Sequence, residues 1–172
     1  MTFMFRIGLV SMLVLGCISC LQDDAPKAEE RVRVGDKLPR FDVVMNDGSR
    51  LSTSRLEGKV SVLVFFSTGC PDCRKELPVV QQLYDIYKDN AEVEIVCISR
   101  AEGENSIKAY WQEQGLTLPY SAQTDRTVYE LFCTTGIPRI YIASPSSTVQ
   151  FIFTDNPLAT LDDLRQAVAS CL

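Results

Sequence analysis

The chain has 172 residues, 46% hydrophobic and 23% charged, with a formal net charge of −5, which suits one globular domain with a short appendage. No long basic run interrupts the acidic balance, which argues against a nucleic-acid-binding surface. Histidine is absent, which excludes Ser-His and Cys-His catalysis and every His-ligated metal site, and leaves proton transfer to carboxylates, thiols, Tyr, Lys or water.

Residues 1–19 carry one positive charge, Arg6, ahead of an apolar run over residues 7–15. That run is too short to span a bilayer comfortably and has the size of a signal-peptide core. It ends in Val14-Leu15-Gly16-Cys17-Ile18-Ser19-Cys20. Small residues directly before a cysteine resemble the bacterial lipoprotein cleavage signal, in which the cysteine becomes the lipidated first residue of the mature protein. Cys17 and Cys20 compete for that place. Val14 and Leu15 suit Cys17, but polar Gln22, Asp23 and Asp24 follow Cys20, where a mature tether should begin. Cys20 is therefore the preferred lipidation site. The alternatives are an ordinary cleaved signal peptide and a cytosolic start at Met4. Residues 20–33 are rich in charge and contain Pro26; they read as a flexible tether, with residues 34–172 forming the domain.

Within the domain, residues 41–45 alternate as a strand, Asn46-Asp47-Gly48 is a hairpin turn signal, and residues 49–52 return. After a short turn at residues 56–59 comes Val60-Ser61-Val62-Leu63-Val64-Phe65-Phe66. It is apolar nearly throughout, as central strands covered on both faces are. A helix over residues 71–88 follows, with Leu77, Val80, Leu83, Tyr84 and Tyr87 on one face. Pro78 inside it should kink it. Residues 92–99 form a second apolar strand, and residues 104–114 a helix closed by Gly115. Asp125 caps a short helix reaching Phe132. Residues 139–143 and 149–153 pair around Pro145-Ser146-Ser147, and residues 160–169 form the last helix. This order predicts an α/β domain with a central mixed sheet flanked by helices.

Two of the seven cysteines stand in Ser67-Thr68-Gly69-Cys70-Pro71-Asp72-Cys73-Arg74-Lys75-Glu76. Such a pair can bind metal, form an inert bridge or exchange electrons. Structural zinc takes a second close pair of ligands, which this chain lacks. A loop this short is a poor staple. The strand–Cys-x-x-Cys–helix context favours exchange. Cys70 falls at the helix N-cap and Pro71 at the first helical position. The first-turn amides and the macrodipole point at the Cys70 sulfur and favour thiolate over thiol. Cys73 lies one turn in, placed to attack a mixed disulfide formed at Cys70.

These residues resemble the thioredoxin superfamily and, within it, the TlpA/ResA-like membrane-tethered thiol–disulfide oxidoreductases. The resemblance runs from about Val34 to Leu172 and is carried by Phe65 to Pro78 and by Gly136-Ile137-Pro138. It implies a thioredoxin-like fold with an N-terminal β-hairpin and an extra strand–helix insertion around residues 93–124. It also implies that Pro138 is a cis-proline facing the cysteine pair, leaving the Ile137 backbone to pair with a substrate segment beside Gly69 and Pro71. Glu76 is implied to manage the proton of the resolving Cys73. Thioredoxin's buried aspartate position is Val64 here, so Glu76 would carry that work alone. The implied partners are disulfide-containing proteins, apocytochrome c among them, and a membrane thiol electron donor, with no cofactor or metal. The reducing direction is favoured, for a lipid-anchored, periplasm-facing monomer on the inner or outer membrane of a Gram-negative bacterium.

Two departures stand out. Gly69 replaces the tryptophan usual before the first cysteine, and Arg139 replaces the small polar residue usual after the proline; both are expected on the partner-facing surface. Cys133 is a buried apolar cysteine or a third redox thiol. Cys97 and Cys171 read as structural, and Tyr110, Trp111 and Phe132 as core. Two other functions stay open. A thiol peroxidase would need Ser67 for the usual threonine, with Leu63 at the usual proline position. A lipoprotein adaptor would use the same platform without redox chemistry.

Overall fold

The computed structural model describes residues 29–172. Cys20, the lipidation assignment and residues 1–28 of the signal and tether lie outside the described residues. A hairpin of β1 (Asp42–Val44) and β2 (Arg50–Ser52) leads into a one-turn helix α1 (Thr53–Leu56). Next come β3 (Val60–Phe66), α2 (Pro71–Tyr87), β4 (Val93–Ser99), α3 (Glu104–Gln114) and β5 (Tyr120–Ser121). The chain ends with α4 (Thr127–Glu130), β6 (Arg139–Ala143), β7 (Val149–Phe153) and α5 (Leu161–Cys171). The hairpin forms its own two-stranded sheet, and the other strands form one mixed sheet in the order β5-β4-β3-β6-β7. β3 pairs parallel with β4 and antiparallel with β6. This is the mixed sheet that the element order predicts and the thioredoxin-like architecture that the family resemblance implies.

Every residue of β3 is buried, which explains why its sequence does not alternate. Consecutive side chains point to opposite faces of a sheet, so Phe65 and Phe66 seed two aromatic clusters. Phe65 meets Phe132 at 4.8 Å, Tyr129 at 5.5 Å and Tyr141 at 5.9 Å between ring centroids. Phe66 meets Trp111 of α3 at 5.0 Å, and Trp111 meets Tyr120 at 5.0 Å. α5 packs against α2 and the sheet. Its start is fixed by a capping box: Asp163 N–H donates to Thr160 Oγ1 at 3.2 Å, and Thr160 N–H donates to Asp163 Oδ2 at 2.9 Å.

Two features differ from the sequence expectations. The domain starts before residue 34. Val32 is buried, and the Arg31 and Val32 amides donate to the Phe132 carbonyl at 2.9 and 3.1 Å. Glu30 bridges Cys133 as a short antiparallel pair. Residues 29–33 are therefore part of the fold and not of a flexible tether; their backbone groups find partners that only tertiary structure supplies. β5 is absent from the sequence reading because its two residues are held by the hairpin, through reciprocal bonds between Asn46 and Tyr120. α2 runs unbroken through Pro78, whose ring is exposed. Among the described residues, no helix is long and apolar enough to cross a membrane.

Phe65 is fully buried and meets Tyr129, Phe132 and Tyr141 at once, so Phe65→Ala should lower the unfolding free energy by about 3–5 kcal/mol. Urea unfolding followed through Trp111, the one tryptophan of the chain and a buried one, should show the earlier midpoint. An unchanged midpoint would refute the central place given to this ring.

Candidate active site

The end of β3 delivers a loop, Ser67-Thr68-Gly69, that must turn sharply into α2. Three groups hold it. Glu102, just past β4, accepts the Thr68 N–H at 2.7 Å and the Thr68 hydroxyl. Arg74, on the first turn of α2, donates from Nε to the Thr68 carbonyl at 2.5 Å. The Cys70 amide donates to the Ser67 carbonyl at 3.1 Å. Cys70 then occupies the N-cap with extended backbone, and Pro71 opens the helix. Gly69 and Pro71 are exposed. A side chain at Gly69 would meet only Ser67 Oγ at 3.6 Å, so the surface before Cys70 is open where a bulky residue could have stood.

The Ile137–Pro138 peptide is cis, as the resemblance implies. Cys70 Sγ donates to the Ile137 carbonyl at 3.4 Å, which brings the candidate nucleophile and the proline loop together. No hydrogen bond among the described residues uses the Ile137 N–H.

Behind the half-buried Cys70, Cys73 is fully buried. Burial pushes its thiol well above the ordinary cysteine range; a backbone contact with Ser67 opposes this, and the charges of Cys70 and Glu76 add to it. Cys73 cannot become a nucleophile without a nearby base. Glu76 is one helical turn further along, only 2% exposed. Its carboxylate accepts the Ala159 N–H at 3.0 Å. Burial raises its pKa to about 7; the Ala159 hydrogen bond opposes the shift, and the negative charges of Asp155 and Asp72 reinforce it. An acid poised there can both accept and return a proton at neutral pH. This is not a solvated first-turn glutamate.

Sequence reasoning missed Glu102, Arg74 and the Ala159 amide. Glu102 was legible in principle, because parallel neighbouring strands end at the same edge and bring their following loops together. A backbone amide such as that of Ala159 leaves no signal in a sequence. Arg139 needs a correction. It is opposite Phe65 in the β3–β6 register, so its side chain shares the Phe65 face of the sheet. It is 4% exposed and turned inward to Glu30, away from any partner-facing surface. Cys133 and Cys97 are fully buried, and Cys171 is half-buried. A cavity of about 520 Å³ lies between Lys37, Phe41, Ser54 and Ser147 and touches neither cysteine of the pair. Among the described residues, no three His, Cys, Asp or Glu side chains cluster as metal ligands.

A dithiol at the start of a helix, set against a cis-proline loop on a mixed sheet, defines the class of thioredoxin-fold thiol–disulfide oxidoreductases. Residues 34–152 match the AhpC/TSA family. The chain is 30% identical over 154 residues to the thiol-disulfide oxidoreductase ResA of Oceanobacillus iheyensis, covering 87% of this chain and 80% of that protein. It is 26% identical over 149 residues to ResA of Bacillus subtilis, covering 87% and 83%. A thiol:disulfide interchange protein of the thioredoxin family from Chlorobium tepidum superposes with a TM-score of 0.69 at 26% identity, over 81% of this chain and 97% of that one. StoA from Bacillus subtilis shares the fold, with a TM-score of 0.63 at 19% identity over 76% and 96%. The chain belongs to the AhpC/TSA family and is a ResA-like thiol–disulfide oxidoreductase.

The position of Glu76 has a measurable consequence. Its carboxyl titrates near 4.5 when unfolded and near 7 when folded. Between those values Glu76 holds more proton in the folded than in the unfolded state, so its contribution to stability is fully present below 4.5 and is lost as pH rises through 7. Urea titrations should show a loss of about 2–3 kcal/mol across that window, and Glu76→Gln should abolish this slope. A wild-type profile flat between these pH values would refute the buried-acid assignment.

Proposed function

We propose that the protein reduces disulfides in extracytoplasmic protein partners through the Cys70–Cys73 couple, with Glu76 as its proton carrier. The observation that supports this best is the sequence of environments at the start of α2: a half-buried thiol, a buried thiol, then a buried acid poised near neutrality. The Cys70 thiolate attacks one sulfur of the substrate disulfide, forming a mixed disulfide and expelling the first substrate thiolate. Glu76 takes the Cys73 proton. The Cys73 thiolate attacks Cys70 Sγ, forms the Cys70–Cys73 disulfide and expels the second substrate thiolate, which is protonated. Two electrons pass to the substrate. A membrane thiol donor restores the dithiol, since an oxidising compartment does not.

The partner docks across Gly69, Pro71, Ile137 and Pro138. The exposure of the first two and the free Ile137 N–H support pairing with an extended substrate segment. Lipid attachment at Cys20 holds the domain at the periplasmic face of a membrane, acting as a monomer. Apocytochrome c is one candidate substrate.

Insulin reduction tests the chemistry. Cys70→Ser should abolish it, and Cys73→Ser should accumulate a mixed disulfide through Cys70. Glu76→Gln should slow the release of substrate from that mixed disulfide on the order of 100-fold. Peroxide consumption needing Cys70 but not Cys73 would instead establish a thiol peroxidase, and full biological activity of a Cys70→Ser, Cys73→Ser variant would establish an adaptor. A reduction potential below about −250 mV fits a reductant, and one near −120 mV would reverse the direction.

A further inference from the structure

The proline loop is held almost entirely by side chains. The Thr134 carbonyl accepts from Arg126, and the Thr135 carbonyl from Arg139 Nε at 3.2 Å and from Cys133 Sγ at 3.1 Å. Tyr129 donates its hydroxyl to the Gly136 carbonyl at 2.6 Å. The next carbonyl, that of Ile137, meets the Cys70 thiol. Four consecutive carbonyls therefore run from a buried arginine network to the reactive sulfur.

Arg139 is the member of that network that needs a counter-charge. A buried guanidinium is costly unless paired. Glu30 supplies the pairing carboxylate, with Oε1 on Arg139 Nη1 and Oε2 accepting the Tyr141 hydroxyl at 3.4 Å. Glu30 belongs to the N-terminal segment bridged to Cys133, whose backbone also grips the loop's entry. The Glu29 carbonyl accepts the Thr134 N–H at 3.2 Å, and the Glu29 N–H donates to Thr134 Oγ1 at 3.1 Å. Gly136 completes the fit. Its φ is +84°, and a Cβ there would sit 3.2 Å from Arg139 Nη2, so the guanidinium fills the space directly under the loop.

We propose that Glu30, acting through Arg139, is a positioning residue for disulfide exchange: it sets the height of the Gly136-Ile137-Pro138 loop against Cys70 and so controls how protein disulfides are presented to the thiolate. The inference rests on the oxidoreductase reading for its kinetic consequence, but not for its structural one. Small disulfides need no backbone pairing with Ile137, whereas an extended peptide does. A misplaced loop therefore penalises peptide substrates selectively, as small errors of placement do in other oriented reactions.

The test uses the full chain, Glu30→Ala and the Glu30→Ala, Arg139→Met double variant, which removes the buried charge together with its partner and keeps a folded protein available should the single variant fail to fold. Two quantities are read: amide hydrogen exchange of Thr134, whose N–H the Glu29 carbonyl holds, and the ratio of kcat/KM for a disulfide-linked peptide to that for a small disulfide such as Ellman's reagent. The expected result is exchange accelerated at Thr134 but not in α5, with the ratio falling about tenfold or more. Thr134 exchange unchanged, or exchange raised equally everywhere with the ratio kept at the wild-type value, would overturn the proposal. If wild-type protein reacts with neither disulfide, the oxidoreductase reading fails, and the exchange of the Thr134 amide alone decides the role of Glu30.

Discussion

The structure depends on covering β3 from both sides. A strand with seven buried residues must carry apolar side chains on both faces, and its hydrogen-bonding edges must be filled by neighbours. β4 and β6 fill them. Because β4 is parallel to β3, its end lies beside the end of β3 and brings Glu102 to Thr68. Because β6 is antiparallel, its beginning lies there instead, and brings Pro138 and Ile137 to Cys70. Strand direction alone thus assembles three loops around one sulfur, with no side chain having to reach far.

The same burial that stabilises the sheet creates the chemistry. Hiding a thiol and a carboxyl in the apolar interior disfavours both anions, which is why Cys73 and Glu76 titrate upward together. Neither would be useful alone. A buried thiol without a base stays inert, and a buried acid without a thiol only costs stability. Set one turn apart on α2, they are the two groups between which the proposed mechanism passes one proton. The Ala159 amide tempers the acid, since its hydrogen bond favours the carboxylate and opposes the burial effect. The Thr160 capping box, by fixing where α5 begins, fixes that amide as well.

Much of this was legible in the sequence. Strands such as β3 and β4 announce themselves by unbroken apolar runs, α2 by its spacing, α3 by Gly115, and the dithiol by its place between strand and helix. The cis-proline loop followed from family resemblance and not from local pattern. What escaped was whatever depends on a distant partner. β5 is two residues tied to a hairpin turn, and residues 29–33 looked like a polar tether because charge suggests solvent. Glu30 is charged and yet belongs inside the fold, since it neutralises Arg139. Arg139 misled in the same way. Beside a substrate-facing proline it suggests a surface residue, but strand alternation sends its side chain to the Phe65 face.

Glu76 and Arg139 are thus two ionisable groups drawn into one interior for different ends. Glu76 is bonded to the segment before α5, and Arg139 to Glu30 and the loop carbonyls; they share no hydrogen-bond partner. The acid behind Cys73 and the loop opposite Cys70 are therefore held by separate networks. Groups without shared partners act nearly independently. The opening at Gly69, where a Cβ would meet only Ser67 Oγ at 3.6 Å, therefore leaves both supports untouched.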